Sequence, residues 1–543
     1  MTESRPYYVT TPIYYVNDSP HIGHAYTTLA CDVLARFMRL DGRDVKFLTG
    51  TDEHGQKVQK SAQAAGIAPQ TFTDRVSQRF RDLLPLMNYT ADDFIRTTEP
   101  RHAASCQALW RRLSENGHIY LGSYSGWYAV RDEAFVGEDE LRDGPNGKKI
   151  APSGAECEWV EESSYFFRLS AWQEPLLDFY AKNPDFIMPS GKRNEVVAFV
   201  KSGLRDLSIS RTVFDWGIHI PDDDRHVMYV WLDALTNYIT AVGYPNTDAG
   251  SDYARYWPAD VHMVGKDILR FHAVYWPAFL MAAGLQPPRR VFAHGWWTIE
   301  GQKMSKSLGN VVSPETLVNT YGLDQTRYFL MREIPFGNDG DFSHRAMTHR
   351  INGDLANDYG NLVQRVLSMI AKNCGGVVPQ PGLFTEADQR LLDAADALLK
   401  TAREEMLVQG FHKALDALWA VVGSANRYVD EQAPWALRKT DPARMATVLY
   451  VLAETIRYLG ILTQPFMPES SARILDQLAI PPDERGFESL NPKFALRAGT
   501  PLPAPQGVFP RLQDPEAEKT EKNEKPQKKQ KNEQKTTKTN KSE

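Results

Sequence analysis

The chain is predicted to be an α/β protein with a doubly wound parallel sheet, an α+β module inserted between its halves, and a helical bundle after it. Three observations predict this. Short β-rich runs alternate with helical periodicity over the first hundred residues. Aromatic, turn-rich sequence then interrupts that alternation from about 118 to 225, and helical period takes over after about Ser343.

Residues 7–16 are β-rich and run into a helical pattern from His24 through Leu29, Leu34 and Met38. A short apolar strand at 45–49 precedes helix-compatible 58–65, and 93–96 suggests a third strand before a helix through Leu109 and Leu113. Strand–helix–strand spacing of this kind reads as parallel βαβ, the first half of a doubly wound sheet. From Gly117 to Arg225, aromatic runs such as IYLGSYSGWYAV and SSYFFRLS alternate with turn clusters such as DGPNG at 143–147, as in an inserted α+β module. Strand-like 226–230 and 261–264, a helix near 268–280 and a strand at 291–293 restore the parallel logic. Beyond them, Leu355, Leu362, Val366 and Ile370 share one helix face, and 391–399, 411–422, 445–462 and 471–478 are further helices of a bundle.

The expected division is 1–117 and 226–322 for the two halves of the sheet domain, 118–225 for the insertion, 323–345 for a linker and 346–514 for the bundle. The tail, 515–543, is almost free of apolar residues and carries seven Lys against two Glu from Lys525 onward, so it is expected to be a solvated, disordered terminus. There are no internal repeats.

Composition narrows the function. With 543 residues, 42% of them hydrophobic, the chain has material for several cores. A net charge of −6 excludes a protein that coats nucleic acid through a broad cationic field, and leaves local RNA contacts open. Four cysteines, Cys31, Cys106, Cys157 and Cys374, form neither a disulfide framework nor a C-x-x-C pair, which fits a reducing cytoplasm. No uncharged apolar run approaches the ~20 residues of a membrane span, and the first residues lack the pattern of an export signal.

Two clusters carry chemistry. Pro20-His21-Ile22-Gly23-His24 stands where the first strand hands over to its helix, and a helix N-terminus offers N–H groups and positive potential to phosphate. Gly23 between the imidazoles would let an adenine ring approach the backbone. Alone, the pattern is weak and reads sooner as a capped helix start with surface histidines. Lys303-Met304-Ser305-Lys306-Ser307 follows the strand at 291–293 and places two ammonium groups on one loop, able to close over pyrophosphate as negative charge develops. Alone, it reads as a solvated loop with incidental lysines.

Together they resemble the signatures of class I aminoacyl-tRNA synthetases, which appear here verbatim and in order. Five stretches resemble the methionyl-tRNA synthetase family in particular: TTPIYYVNDSPHIGH (10–24), TGTDEHG (49–55), YVWLDALTNY (229–238), GKDILRFH (265–272) and HGWWTIEGQKMSKSLGN (294–310). The resemblance implies a Rossmann-like catalytic domain with a connective insertion and an α-helical anticodon-binding domain. It implies adenylation of L-methionine by ATP with Mg²⁺, then transfer to the 3′-terminal adenosine of tRNA(Met), with His21, His24, Lys303 and Lys306 stabilising the transition state.

Matched residue by residue, the resemblance implies a methionine pocket from Ile13, Tyr15, Trp231, Ala234, Leu235, Tyr238, Ile268 and His272, with Asp52 on the α-ammonium group. Gly23, Lys266 and Asp267 would join the imidazoles and lysines at ATP, and Arg211 would lie near the mouth of the site. An aromatic-walled cavity suits a thioether. It discriminates one methyl group by only ~1–3 kcal/mol, so misactivation of homocysteine and its editing are expected.

Asn361 and Arg365, at i and i+4, and Trp435 match the family's anticodon-reading positions, the family reading CAU. One departure stands out. Where many members carry a zinc knuckle, residues 128–135 read YAVRDEAF, without the thiolates, so a metal-free module is expected. The short proline-rich segment between about 480 and 514 is too small for an additional dimerising β-barrel, and a monomer is expected.

Two alternatives share part of this pattern, another synthetase of the same class and a catalytically silent paralogue. Synthetases for Ile, Val or Leu usually carry a large editing insertion, for which the ~280 residues between His24 and Lys303 leave little room beside the second half-sheet. A cysteine enzyme would use thiolate-bound zinc, and the cysteines are misplaced for it. A catalytically silent RNA-binding paralogue would have no need of intact His21, His24, Lys303 and Lys306.

Overall fold

The computed structural model describes residues 5–17, 19–132, 134–304 and 310–513. The chain begins with β1 (Tyr7–Thr10) and β2 (Tyr14–Tyr15), enters α1 (Ile22–Leu40), and returns through β3 (Val45–Asp52). After β4 (Asp93–Arg96) comes α2 (Pro100–Glu115), opened by a proline at its first position. The insertion rises as β5 (Ile119–Ala129), turns into β6 (Ala134–Val136) and descends as β7 (Glu156–Phe167), which pairs antiparallel with β5 from Ile119↔Phe167 to Ala129↔Cys157.

Then follow β8 (Ile187–Met188), β9 (Asp223–Met228), α3 (Val230–Thr240), β10 (Val261–Gly265) and β11 (Val291–His294). The main sheet is parallel throughout, in the order β8-β11-β10-β1-β3-β4, with β2 continuing beside β3 at Tyr14↔Thr51. Strands on both sides of β1 are reached by crossovers in opposite directions, so the switch point lies between β1 and β10. Ligands of open α/β sheets bind at that place.

Three sequence expectations need correction. The run 226–230 is not a parallel strand. It ends β9, which pairs antiparallel with Ser210–Arg211 and His219–Ile220, and the chain is helical from Val230. The alternation of that run could not separate an edge hairpin from a sheet strand. The span 118–225 is not one module either, because β8 within it pairs with β11 at the edge of the main sheet. Finally, the helix expected at 268–280 is broken into a 3₁₀ turn at Lys266–Ile268, a π turn at Phe271–Tyr275 and an α-helix at Trp276–Ala282.

The linker helix α4 (Leu323–Arg332) leads into α5 (Asn361–Asn373), α6 (Phe411–Gln432) and α7 (Pro442–Thr463), the last opened by Asp441, whose side chain accepts from Arg444 N–H at 2.9 Å. α7 is long and apolar enough to cross a membrane, yet 94% of that window is buried among the bundle helices. Residues 480–513 wrap the bundle, with Val508 and Phe509 buried and Tyr450 Oη donating to Leu496 O. One core runs from the α1 face of the sheet into the bundle. Within it the fully buried Arg327 of α4 donates to Asp32 of α1 at 2.7 Å and to the carbonyls of Met87, Pro465 and Phe466. The tail from 515 lies outside the described residues.

Candidate active site

The C-terminal ends of β1, β3, β10 and β11 open onto one cavity of about 520 Å³. Its phosphate-type end is the start of α1. His21 is the N-cap: its Nδ1 accepts from Gly23 N–H at 3.1 Å, while His21 N–H donates to His24 Nδ1 at 3.1 Å. Two imidazoles thus perform the reciprocal capping usually left to Ser and Glu. Because each Nδ1 accepts, each neutral ring carries its proton on Nε2. His24 packs edge-on to Tyr14 and Phe80, and burial, followed by the neighbouring His21, holds its pKa well below that of a free histidine. Gly23 also leaves room for the His21 ring. A Cβ there would stand 2.9 Å from the His21 ring, which would have to shift away from its place over the helix start.

Lys303 lines the same cavity as His21 and His24. It ends a short strand paired antiparallel with Trp297–Ile299, and its carbonyl accepts from Asn310 Nδ2 at 3.2 Å. Two residues further on, Val312 O accepts from Ile22 N–H at 3.1 Å, so the far flank of the lysine loop is stitched to the first turn of α1. Lys306 lies outside the described residues.

Asp267 lines the cavity and accepts from Trp296 Nε1 at 3.1 Å. Lys266 does not line it. Its ammonium is bonded to Asp339 at 2.6 and 2.7 Å and sits 4.4 Å from the Trp296 ring centroid, on the flank that Lys303 approaches at 5.4 Å.

The opposite wall is α3. Trp231, Ala234, Leu235 and Tyr238 stand at i, i+3, i+4 and i+7 and present one apolar face to the cavity. Trp231 stacks on Phe271 at 3.7 Å, and Tyr238 Oη donates to His272 Nε2 at 2.7 Å while His272 Nδ1 donates to Ile268 O at 2.9 Å. Burial lowers the His272 pKa to about 4, so that ring is neutral and its orientation is fixed by both bonds. Ile13, Tyr15 and Ile268 complete the apolar lining, and Asp52, at the end of β3, supplies a carboxylate beside it.

Sequence reasoning missed Thr27, His294, Trp296 and the insertion residues Arg131 and Asp132, all of which line the cavity. Thr27 Oγ1 lies 2.7 Å from His294 Nε2. His294 follows a predicted strand, and the rule that residues leaving parallel strands line the site would have found it. Arg131 and Asp132 carried no such signal. Arg211 is not at the mouth of the site. It is buried, donates to Ser208 Oγ and Ser210 O, and lies under the rings of Tyr128, Phe135 and Tyr229, tying the insertion to the start of α3.

Where a zinc knuckle would sit, Ala129, Val136, Ala151, Ala155 and Cys157 form a small apolar core, and Asp132 accepts from Ser153 Oγ. Among the described residues, the group whose ligand atoms come within 4.8 Å of one another is His102, Cys106 and Asp233, beneath α3. His102 Nε2 and Asp233 Oδ1 are 2.7 Å apart, a hydrogen bond, whereas two ligands of a tetrahedral zinc would stand ~3.3 Å apart.

On the bundle, Asn361 and Arg365 project from α5, and the Arg365 guanidinium is 5.7 Å from the ring centroid of Trp435, which is 50% exposed. Arg365 also pairs with Asp430 at 3.0 Å.

A doubly wound sheet with imidazoles at a helix start, a lysine loop whose flank is stitched to that helix, and a helical bundle sharing one core with the sheet are the features of a class I aminoacyl-tRNA synthetase. Comparison with known proteins agrees: residues 7–367 match the family model for tRNA synthetases class I (M), and 378–528 that for the anticodon binding domain of methionyl tRNA ligase. The chain belongs to the methionyl-tRNA synthetase family, and its activity is that of a methionine–tRNA ligase. It is 60% identical over 505 residues to the methionine–tRNA ligase of Mesorhizobium japonicum, covering 93% of this chain and 97% of that one. To the ligase of Rickettsia bellii it is 55% identical over 515 residues, 94% and 99% of the two chains. The solved structure of Mycobacterium tuberculosis methionyl-tRNA synthetase in complex with methionyl-adenylate superimposes with a TM-score of 0.91 at 53% identity, covering 94% of this chain and all of that one.

Proposed function

We propose the following division of labour for the ligase reaction. Asp52 holds the α-ammonium group of methionine, and the α3 face with Ile13, Tyr15, Ile268 and His272 encloses its thioether. The methionine carboxylate attacks the α-phosphorus of ATP and pyrophosphate leaves. His21 and His24, through Nε2–H, and Lys303 and Lys306, through their ammonium groups, hold the phosphates as charge shifts to the leaving group. The 3′-terminal adenosine of the tRNA then takes the methionyl group through a ribose hydroxyl, and AMP leaves. Mg²⁺ bound together with ATP would supply neutralisation of the phosphate charge in this step. Gly23 and Asp267 border the nucleotide. Lys266, engaged with Asp339, supports the Trp296 side of the site rather than binding phosphate.

The observation that carries this reading is that one cavity is lined by His21, His24, Lys303, Asp52 and the α3 wall, so both substrates reach one another there. The binding of methionyl-adenylate by the Mycobacterium tuberculosis relative supports it. ATP–pyrophosphate exchange across a panel of amino acids tests it. Methionine is expected to dominate, with weak activation of homocysteine and formation of its thiolactone. Dominance of another amino acid, or silence across the panel, would refute it.

Asn361, Arg365 and Trp435 read the anticodon, with the half-exposed Trp435 as a stacking platform beside a cation. The insertion is metal-free, the enzyme acts as a monomer, and it works in the cytoplasm. Stoichiometric zinc by elemental analysis, or a dimer by sedimentation, would contradict those parts.

A further inference from the structure

Asp233 lies on α3 between Trp231 and Ala234, is fully buried, and faces away from the cavity. Its Oδ2 accepts from His54 Nδ1 at 2.6 Å and its Oδ1 from His102 Nε2 at 2.7 Å. The two imidazoles bring two other elements to this carboxylate. His102 belongs to α2, which packs along α3. His54 follows the end of β3 by two residues, and β3 ends at Asp52.

The turn between them is rigid. Glu53 is fully buried, takes two bonds from Arg96 at 2.7 and 2.9 Å and others from Thr51 and Thr98, and its carbonyl accepts from Trp216 Nε1 at 2.6 Å. Three successive residues are thus assigned to three tasks: Asp52 to the cavity, Glu53 to Arg96, and His54 to Asp233. Burial works against the Asp233 charge, but the charges and hydrogen bonds of His54 and His102 overcome it and hold the carboxyl at a pKa of about 2.

We propose that Asp233 is a positioning residue for amino-acid selection: by holding His54 it fixes the distance between Asp52 and the apolar face of α3. This rests on the methionine-site reading above and deepens it. The ammonium group and the thioether are the two ends of the substrate, and the span between their binding groups measures side-chain length. A carboxylate in the back of the helix, touching neither end, sets that span.

The test is steady-state ATP–pyrophosphate exchange by the full chain, with methionine and homocysteine as competing substrates. Asp233→Asn keeps the volume and removes the charge. The expected result is a KM for methionine raised about tenfold, with kcat and the KM for ATP within about twofold. Preference for methionine over homocysteine is expected to fall about fivefold, because a loosened span measures length poorly. His54→Gln cuts only the arm to β3 and is expected to act in the same way, and the double variant to be no worse than the worse single one.

Where Asp233→Asn fails to fold, His54→Gln decides the matter alone. A KM for ATP that moves as much as that for methionine, or an unchanged methionine KM and selectivity in folded His54→Gln, overturns the proposal. The wild-type enzyme separates the two failures, since absence of methionine-dependent exchange there would defeat the underlying reading instead.

Discussion

The backbone N–H of His21 donates to Nδ1 of His24 at 3.1 Å, and that bond decides which nitrogen of His24 is left for the cavity it lines. With Nδ1 committed as acceptor, only Nε2–H is left to donate into the cavity. Capping and the proposed phosphate contact would therefore use different atoms of one ring. An Asn at position 24 can place an acceptor near Nδ1 but offers nothing at Nε2, whereas Gln reaches the Nε2 position. His24→Asn is expected to lower the exchange kcat about 100-fold with little change in melting temperature. His24→Gln is expected to lose less activity and more stability. Exchange kinetics beside thermal melts check this, and equal behaviour of the two variants would contradict it.

Several histidines titrate below their ordinary range. Burial lowers His24, His118, His262, His272, His294 and His412, with His272 near 4. In the unfolded chain such rings bind protons near pH 6.5. Between that pH and each lowered value the unfolded state holds more protons than the folded one, so stability is highest above about 6.5 and falls as acid is added. Asp260 and Asp358, pushed up by burial, act in the opposite sense but are two groups against six. The melting temperature is expected to be lower at about pH 5.5 than at 7.5. A flat or rising dependence on acidification would contradict this.

Arg327 joins three parts of the fold from a fully buried position. Removing it leaves Asp32 charged in the core, although Arg36 still donates to that carboxylate at 2.8 Å. Breaking a buried pair costs about 3–5 kcal/mol. Arg327→Met is expected to destabilise the chain within that range in denaturant melts, and to slow methionine activation because α1 loses its anchor to the bundle. Unchanged stability would contradict the role given to this residue.

Trp435 stands on the bundle with no part in the cavity of the sheet domain. Loss of one stacked base is worth ~1–3 kcal/mol. Trp435→Ala is therefore expected to lower kcat/KM for tRNA charging about 10- to 100-fold and to leave ATP–pyrophosphate exchange within about twofold. Equal loss in both assays would defeat the separation of roles.

How much of this was legible depended on period and on position. β4 and the helix after it were readable because a short apolar run with a polar exit and a 3.6-residue period leave little ambiguity. β9 was not, since one residue separates its end at Met228 from the helix that starts at Val230, and alternation is silent on pairing partners. Most residues named from contiguous motifs line one cavity, and Trp231, Ala234, Leu235 and Tyr238 share one face of α3. That Lys266 is held off the cavity lining was not legible, because its partner Asp339 is 73 residues away. Arg211 was misread for a similar reason, its aromatic cage coming from three separate segments. His54, His102 and Asp233 show the same limit. Each looks like an isolated polar residue until β3, α2 and α3 are packed together.

Single-turnover formation of methionyl-adenylate tests the central claim, convergence of the α1 imidazoles and the lysine loop on one triphosphate. Measured for His24→Asn and Lys303→Gln against wild type, the rate constant is expected to fall about 100-fold in each, with the dissociation constant for methionine unchanged. A Lys303→Gln enzyme that forms adenylate at the wild-type rate would show that the two places serve different ligands.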